Sequence, residues 1–318
     1  AIVDKVAALY GTRFDVESEV TVTAGATQAI FTAIAAFVRP GDEVLVFEPV
    51  YDSYVPAIET VGGKAVFAQL KFPDYAPDWA QVKSLINERT RMIVVNSPHN
   101  PTGSLLTTAD LDRLAELVRG TDIVILSDEV YEHILFDGER HASLCGHDEL
   151  AARSIVVSSF GKTYHITGWK IGYVVGPAAL MAEFRKVHQF NVFTVHAPSQ
   201  LAIAEYMQDA ARHLRLAAFY QEKRDFFRQL MAATPFDLLP CRGTYFQLAR
   251  YDRISDLPDR AFAEWMTREV GVAVIPVSVF NADGRDDKVV RFCFAKREET
   301  LQAAAERLGK VLSGNLSI

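Results

Sequence analysis

Cysteine is scarce in this sequence, and no two cysteines form a CxxC pair. Cys145, Cys241 and Cys293 are spread widely over the 318 residues. That distribution argues against a disulfide framework and against a structural zinc site, and it is typical of a reducing compartment. The histidines also lack the spacing of metal ligands. We therefore expect a cytoplasmic protein without a bound metal.

Positive charge and long apolar runs are scarce as well. The 33 lysines and arginines are outnumbered by 40 aspartates and glutamates, the net charge is −7, and no long basic run occurs. This balance argues against nucleic acid as a partner. The longest apolar stretch, at 29–38, is too short to cross a membrane, and no signal-peptide pattern opens the chain. Neither GxGxxG nor GxxxxGK[ST] is present, which argues against a generic nucleotide-binding protein.

Length and composition are those of an ordinary globular protein. The chain exceeds what one compact core usually holds, so two domains are expected. Hydrophobic residues make up 49% and charged residues 23% of the sequence, which is neither disordered nor fibrous. The opening AIVDKVAALYG has the pattern of a helix already under way. Because it starts with Ala1 rather than Met, we expect a further segment before it.

The first two thirds of the chain alternate short β-branched runs with amphipathic segments. EVLVFEP at 43–49 has the length of a buried strand, whereas Ile30, Ile34 and Phe37 have helical spacing. Such alternation predicts crossover connections and a mostly parallel sheet with helices on both faces. From about residue 215 the pattern becomes that of a smaller α+β unit with an antiparallel sheet. We therefore predict a large domain at 1–215 and a small domain at 216–318.

Polar clusters follow five of the apolar runs in the large domain. In chain order they are TAGAT, EPVYDSY, NSPHNPTG, SDEVYEH and SSFGKTY. The carboxyl ends of parallel strands meet at one edge of a sheet, and ligands bind there. The five clusters are therefore expected to form one site.

Two of these clusters offer groups for an anion and for a cation. Gly25, Ala26 and Thr27 lie where a strand turns into a helix, and the free N–H groups of such a turn attract phosphate. An ordinary tight turn is the alternative. Asp128 follows the apolar DIVIL, where a buried carboxylate needs a cation or a donor. It could instead cap a helix.

Three cationic side chains also raise the question of what they meet. Lys162 follows an apolar strand and is either an amine nucleophile in a partly dry pocket or a solvated loop lysine. Lys170, together with Ser159, could face a phosphate. Arg291 lies in the otherwise apolar VVRFCF and requires an anion, either a ligand carboxylate or an internal acidic side chain. Tyr51 packs in the core unless a flat ligand lies against it.

Taken together, these groups match what pyridoxal phosphate requires of a protein. NSPHNPTG, SDEVYEH, SSFGKTYHITGWKIGY and VVRFCFAK also occur in the order and approximate spacing of one family. Over essentially its whole length, the sequence resembles the class I/II aminotransferases of pyridoxal-phosphate fold type I. Within that family it looks closest to methionine, kynurenine and glutamine aminotransferases. The resemblance implies a seven-stranded, mostly parallel sheet in the large domain.

The resemblance implies pyridoxal 5'-phosphate as the cofactor, bound as a Schiff base to Lys162. Lys162 would also carry the proton between the substrate and the cofactor, while Asp128 would keep the pyridine nitrogen protonated. Asn100 and Tyr131 would hydrogen-bond the ring 3-oxygen, and Tyr51 would stack on the ring. The implied catalytic residues are thus Lys162, Asp128 and Tyr131.

The resemblance also assigns the two anionic groups of the ligands. The implied phosphate-binding residues are Gly25, Ala26, Thr27, Ser159 and Lys170. Arg291 would bind the substrate carboxylate, with Asn100 and Tyr51 beside it. The family often has arginine at the position of Lys170, so this chain keeps the charge there but loses the planar fork.

The implied function is ping-pong transfer of an amino group from an uncharged, bulky L-amino acid to a 2-oxo acid. Donors of the methionine, aromatic, histidine or kynurenine type would suit the aromatic Tyr51, Tyr245 and Phe280, and no obvious second arginine is present for an acidic side chain. The alternatives are a cysteine-S-conjugate carbon–sulfur β-lyase and, more remotely, a non-catalytic cofactor-binding regulator. The family also implies a homodimer with shared active sites.

Overall fold

In the computed structural model, which describes residues 1–310, the larger of two sheets has eight strands. They are β1 (Val20–Thr23), β2 (Glu43–Glu48), β3 (Lys64–Lys71), β4 (Ala76–Pro77), β5 (Thr90–Asn96), β6 (Val124–Asp128), β7 (Ser154–Ser159) and β8 (Gly172–Val175). Their spatial order is β1-β8-β7-β6-β5-β2-β3-β4. The eighth strand relative to the predicted seven is explained by the two-residue β4, which pairs antiparallel with the end of β3.

Helices connect and cover these strands. They are α1 (Ile2–Tyr10), α2 (Ala26–Phe37), α3 (Tyr54–Thr60), α4 (Trp79–Leu85), α5 (Thr108–Val118), α6 (Asp148–Ala151), α7 (Phe160–Thr163), α8 (Ala178–Asn191), α9 (Ala197–Tyr206), α10 (Ala211–Leu214), α11 (Leu216–Met231), α12 (Asp259–Trp265) and α13 (Glu298–Lys310). The helix expected from AIVDKVAALYG is α1. It ends at Gly11, whose φ of 82° is the left-handed conformation that glycine adopts without strain.

Strand direction decides which loops meet. Strands β7, β6, β5, β2 and β3 are parallel to one another, and this confirms the mostly parallel sheet. Strand β8 is antiparallel to β7, and β1 is antiparallel to β8, so β1 points the same way as β7. The carboxyl ends of β1, β2, β5, β6 and β7 therefore share one edge, and β8 begins there. The alternation pattern did not predict β8, because no helix-length segment separates it from β7.

Strand β2 shows why both faces of the sheet are covered. All six of its residues are buried, and successive side chains of a strand point to opposite faces. Val44 and Val46 pack in one apolar cluster with α2, whereas Leu45 and Phe47 pack in another cluster with α5. Burial of each such apolar side chain stabilises the fold by roughly 1.5–3 kcal/mol. The register of β2 is thus fixed from both sides.

The smaller sheet has four strands, and all of its pairings are antiparallel. The strands are β9 (Asp237–Leu238), β10 (Phe246–Arg250), β11 (Ile275–Pro276) and β12 (Val289–Cys293), in the order β11-β12-β10-β9. Side chains of α11, α12 and α13 pack with it, and so do Val130, Ile134 and Phe136 from the segment after β6. The predicted smaller α+β unit is confirmed. Its boundary at 215/216, just before α11, stays a prediction.

Neither a membrane span nor a metal cluster is found in residues 1–310. No helix in this range is both long enough and apolar enough to cross a bilayer. No three His, Cys, Asp or Glu side chains of the range are arranged so that they could hold a metal ion.

Candidate active site

A cavity of about 330 Å³ opens at the edge where the five strands end. Every residue predicted to bind the cofactor or the substrate carboxylate lines it: Gly25, Ala26, Thr27, Tyr51, Asn100, Asp128, Tyr131, Ser159, Lys162, Lys170 and Arg291. The structure thus brings together residues that are separated by up to 266 positions in the chain. Their chemical roles stay predictions.

The strand ends account for most of this convergence. Asp128 and Ser159 are the last residues of β6 and β7, and Lys162 lies in α7, which begins directly after β7. Lys170 precedes β8, which starts at the same edge. Arg291 comes from β12 of the smaller sheet, so the cavity lies between the two sheets.

Backbone and cationic groups form an anion-binding corner of the cavity around the start of α2. Gly25 has a φ of 84°, and no side chain caps this helix, so the first N–H groups of α2 are free to meet a ligand. A Cβ atom on Gly25 would lie 3.5 Å from Nζ of Lys170. The helix dipole, the free N–H groups and the ammonium all favour negative charge there.

Gly172, at the start of β8, lets this corner form. A Cβ atom on Gly172 would lie 2.7 Å from the carbonyl oxygen of Ser158 and 3.2 Å from the backbone nitrogen of Ala26. Any larger residue would therefore push the turn at Gly25 and Ala26 away from the sheet. The donor set and the close backbone approach fit a phosphate group.

Asp128 is buried at the end of β6, and no helix follows it, so it is not a helix cap. Its Oδ2 accepts a hydrogen bond from the Tyr54 hydroxyl at 2.6 Å, and its Oδ1 accepts from the N–H of Val130 at 3.3 Å. Burial raises the pKa of Asp128 to about 6, although both hydrogen bonds oppose that rise. A cation beside this carboxylate would stabilise its charged form.

Lys162 does not extend into solvent. Its Nζ donates a hydrogen bond to the Tyr245 hydroxyl at 2.9 Å. The same nitrogen lies 5.8 Å from the centre of the Tyr131 ring and 5.6 Å from that of the Tyr245 ring. The amine therefore sits among aromatic rings at the wall of the cavity, and the solvated loop lysine does not describe it.

Arg291 is held in place without an acidic partner among residues 1–310. Its Nη1 donates to Oδ1 of Asn100 at 2.6 Å, and its guanidinium lies 4.0 Å from the Phe246 ring and 5.2 Å from the Phe280 ring. No carboxylate of the described residues lies within 4.0 Å of it, so an internal salt bridge does not explain its presence. Burial lowers the pKa of Arg291. Phe280 supports the guanidinium and is not part of the cavity lining.

Two contacts of the site were missed by sequence reasoning. Tyr54 was not recognised as the donor to Asp128, and Tyr245 was expected to be only an aromatic wall. Neither contact has a local signal, because each pair is at least 74 positions apart in the chain. Tyr54 begins α3 three residues after Tyr51, a spacing that would equally suit two packing residues.

Comparison with known proteins gives the same family as the site. The family model "Aminotransferase class I and II" matches residues 1–308. The chain is 49% identical to the methionine aminotransferase of Escherichia coli over 97% of its own length and 80% of that protein. It is 35% identical to kynurenine–oxoglutarate transaminase 1 of Rattus norvegicus over 95% of its length and 79% of that protein.

Solved structures agree. YbdL from Escherichia coli, whose structure was reported with a methionine aminotransferase function, superposes with a TM-score of 0.95 at 48% identity, over 97% of this chain and 82% of that one. The aromatic aminotransferase of Pyrococcus horikoshii gives a TM-score of 0.91 at 31% identity, over 99% and 84% of the two chains. The chain belongs to the class I and II aminotransferases, a family of pyridoxal-phosphate-dependent enzymes.

Proposed function

We propose that this aminotransferase takes the amino group of an uncharged, bulky L-amino acid, with methionine and aromatic amino acids as the leading donors, and passes it to a 2-oxo acid. The observation that carries the proposal is the charge arrangement of the cavity. A lysine, a buried acid, an anion-binding corner and an unpaired arginine face the same space. Each has one complementary group in pyridoxal phosphate or in an amino acid.

The cavity fits the cofactor of the family. We propose that the corner formed by Gly25, Ala26, Thr27, Ser159 and Lys170 holds the phosphate and that Lys162 holds the aldehyde carbon through a Schiff base. Asp128 would then face the ring nitrogen, whose positive charge is the cation this carboxylate lacks. When bound, pyridoxal phosphate supplies the carbon that accepts the amino group and a ring that accepts the electron pair.

Arg291 would orient the substrate through its carboxylate. The guanidinium can form two parallel hydrogen bonds with a carboxylate. Its hydrogen bond to Asn100 and its contacts with Phe246 and Phe280 already restrict its rotation. Little side-chain entropy is therefore lost when the substrate binds.

Lys162 would move the proton. Once its amine is free and neutral, Nζ can take the proton from Cα of the substrate: an N–H bond forms, the Cα–H bond breaks, and the electron pair stays on the carbon side. Lys162 would then deliver the proton to the cofactor carbon to which its own amine had been attached. The same residues act in the reverse order on the 2-oxo acid, which gives a ping-pong cycle.

The class of amino-acid donor follows from the cationic side chains that line the cavity. The cationic side chains that line the cavity in the described structure are Lys162, Lys170 and Arg291, and the proposal uses all three. No further cation of this lining is available for a side-chain carboxylate, whereas Tyr51, Tyr245 and Phe246 offer aromatic surface. The relatives named for methionine, kynurenine and aromatic amino acids support the same class.

We also propose that the enzyme is a homodimer with shared active sites. Phe190, Phe193 and Leu201 are 87%, 81% and 72% exposed. Trp169, which precedes the cavity-lining Lys170 in the chain, is 50% exposed. Exposed apolar side chains that form a contiguous patch mark sites of protein–protein contact. Sedimentation of the active enzyme tests this, and an active monomer would overturn it.

Lys162→Ala tests the central assignment. We expect loss of the Schiff-base absorbance and a fall of about 10⁴-fold in transamination from methionine, because both the attachment point and the base are removed. Lys170→Ala is the matched control from the same cavity: it should keep the absorbance but bind the cofactor more weakly. Persistence of both absorbance and turnover in Lys162→Ala would contradict the proposal. Pyruvate and ammonia from a cysteine conjugate, without an amino acceptor, would identify the β-lyase instead.

A further inference from the structure

The contact between Lys162 and Tyr245 extends the set of residues that act in the reaction. Nζ of Lys162 donates to the Tyr245 hydroxyl at 2.9 Å, and that hydroxyl lies 3.5 Å from the hydroxyl of Tyr131. We propose that Tyr245 is a further catalytic residue, which holds the amine of Lys162 whenever the lysine is detached from the cofactor. This inference rests on the proposed function, because it assumes that Lys162 carries the proton.

A backbone junction fixes the segment that carries Tyr245. The turn before it packs against the loop after β5: the N–H groups of Arg242 and Gly243 both donate to the carbonyl of Gly103. A Cβ atom on Gly243 would lie 2.8 Å from Pro98, and one on Gly103 would lie 2.9 Å from the Gly243 carbonyl. No larger residue fits at either position without moving the backbone.

The same junction joins this turn to the segment that carries Tyr131. The N–H of Thr244 donates to the carbonyl of Ile134 at 3.0 Å, and Thr244 itself has a φ of 66°. Asn100, Tyr131 and Tyr245 are therefore carried by three loops that are bonded to one another. A non-glycine residue with positive φ is uncommon and is maintained only when its surroundings fix it.

The ring of Tyr245 is also held on several sides. It makes edge contacts with Tyr131 at 5.3 Å and with Phe246 at 4.7 Å, and it lies 5.7 Å from the ring of Tyr220. The hydroxyl of Tyr220 points elsewhere, to Nδ1 of His165 at 3.3 Å. Of these two neighbouring tyrosines, only Tyr245 presents its hydroxyl to the lysine.

A fixed acceptor next to Lys162 has a direct chemical use. After the amine has taken the Cα proton it is an ammonium, and a flexible ammonium can turn away before it returns the proton. A hydrogen bond to the Tyr245 oxygen keeps the ammonium at the cavity wall, within reach of Cα of the substrate and of the cofactor carbon that receives the proton. Misplacement of a reacting group by about 1 Å can cost about 100-fold in rate.

Tyr245→Phe tests this, because it removes one oxygen and keeps the ring contacts. We expect kcat with methionine to fall about 100-fold while KM changes less than threefold. The deuterium isotope effect with α-deuterated methionine should rise, because proton transfer becomes fully rate-limiting. Without any amino acid, capture of pyridoxal phosphate by the apoenzyme, followed by its absorbance, should be about tenfold slower.

Tyr220→Phe is the matched control, since it removes the neighbouring hydroxyl that does not face Lys162. It should leave kcat, the isotope effect and cofactor capture within twofold of wild type. Thermal unfolding of both variants checks that they are folded to the same extent. Unchanged kcat, isotope effect and capture rate in Tyr245→Phe would overturn the inference while the proposed function stands. An inactive wild-type enzyme would instead refute the proposed function itself.

Discussion

Two carboxylates four residues apart, Asp128 and Glu132, are equally buried and yet meet opposite surroundings. They are 3% and 4% exposed. Glu132 accepts hydrogen bonds from Nζ of Lys5 at 2.6 Å and from the hydroxyls of Tyr10 and Ser158 at 2.5 Å each. Asp128 accepts one hydroxyl and one weaker N–H and meets no cation within 4.0 Å among the described residues.

The proton affinities of the two groups differ accordingly. Burial alone would raise both pKa values. For Glu132 the Lys5 ammonium and the hydrogen bonds outweigh burial and hold the pKa well below its usual range. For Asp128 burial dominates, and the pKa is raised to about 6. The protein completes the environment of one carboxylate and leaves the other to be completed by a ligand.

Other charged residues show the same difference: some are paired within the protein, whereas those of the cavity have no charged partner among residues 1–310. Glu132 and Lys5 link the segment after β6 to α1, so their charges are used within the fold. Lys162, Lys170 and Arg291 have no carboxylate within 4.0 Å in the described part of the chain. Unpaired charge of both signs thus marks the cavity, which is where perturbed groups of functional sites are expected.

Asp128→Asn should have the largest effect on turnover. A neutral amide cannot hold the ring nitrogen protonated, so we expect transamination to fall about 10³-fold, as when one preorganised electrostatic group is removed. Steady-state and single-turnover rates with methionine measure this. A loss of less than tenfold would show that Asp128 does not face the ring nitrogen.

The same variant should stabilise the apoenzyme. The rise in the pKa of Asp128 from 3.8 to about 6 corresponds to about 3 kcal/mol at 1.4 kcal/mol per pKa unit. The folded apoenzyme binds this proton more tightly than the unfolded chain. The contribution of Asp128 to stability is therefore full below pH 3.8 and is lost as the pH rises through about 6. Denaturant unfolding should show Asp128→Asn to be more stable than wild type at pH 8 and equal to it near pH 4.

Glu132→Gln should give the opposite result. It leaves the buried Lys5 ammonium unpaired, so we expect a loss of about 3–5 kcal/mol in the free energy of unfolding at pH 7. Because the pKa of Glu132 is lowered in the fold, the stability it supplies is present above its unfolded pKa of 4.5 and disappears as the pH falls below it. Urea unfolding at pH 7 measures the size of this loss, and a series from pH 8 down to pH 3 measures its sign, because the stability supplied by Glu132 disappears only below pH 4.5.

A double variant provides the control. Lys5→Met together with Glu132→Gln removes the unpaired charge and should recover most of the lost stability. Turnover per folded molecule should stay near that of wild type in both variants. If Glu132→Gln were as stable as wild type, the contrast between the two carboxylates would be wrong.

The sequence shows one member of this pair far better than the other. Asp128 stands out because it follows an apolar run at a strand end, and the direction of parallel strands places it beside the other strand ends. Lys5 and Glu132 are 127 positions apart, and Lys5 lies in an ordinary amphipathic helix. Nothing local distinguishes a lysine that enters the core from one that stays in water.

The residues in and around the cavity also differ in how well the sequence predicted their contacts. Gly25, Lys162 and Arg291 were predicted from their places at strand ends or in an apolar strand, and the structure brings them together. Tyr54 and Tyr245 were not predicted as donor and acceptor, because their partners are fixed by helix and loop packing. Phe280 was expected in the cavity wall but lies against the guanidinium of Arg291. Such errors concern which face of a side chain is used, and tertiary packing decides that.

We expect the smallest effect from removing one hydroxyl that donates a hydrogen bond to each carboxylate. Tyr54→Phe removes the 2.6 Å hydrogen bond to Asp128, and because that bond lowers the pKa of Asp128, the pKa should rise further above about 6. The charged form that binds the cofactor then becomes scarcer near neutral pH. We expect pyridoxal phosphate to bind up to about tenfold more weakly at pH 7, in line with about 1.5 kcal/mol for a hydrogen bond to a charged group. The difference should shrink toward pH 9.

Tyr10→Phe is the control, because it removes the corresponding hydroxyl from Glu132 and should lower stability without changing cofactor affinity. Equilibrium dialysis at pH 6 to 9 separates the two, and equal cofactor affinity of Tyr54→Phe and wild type at every pH would mean that Tyr54 does not tune Asp128.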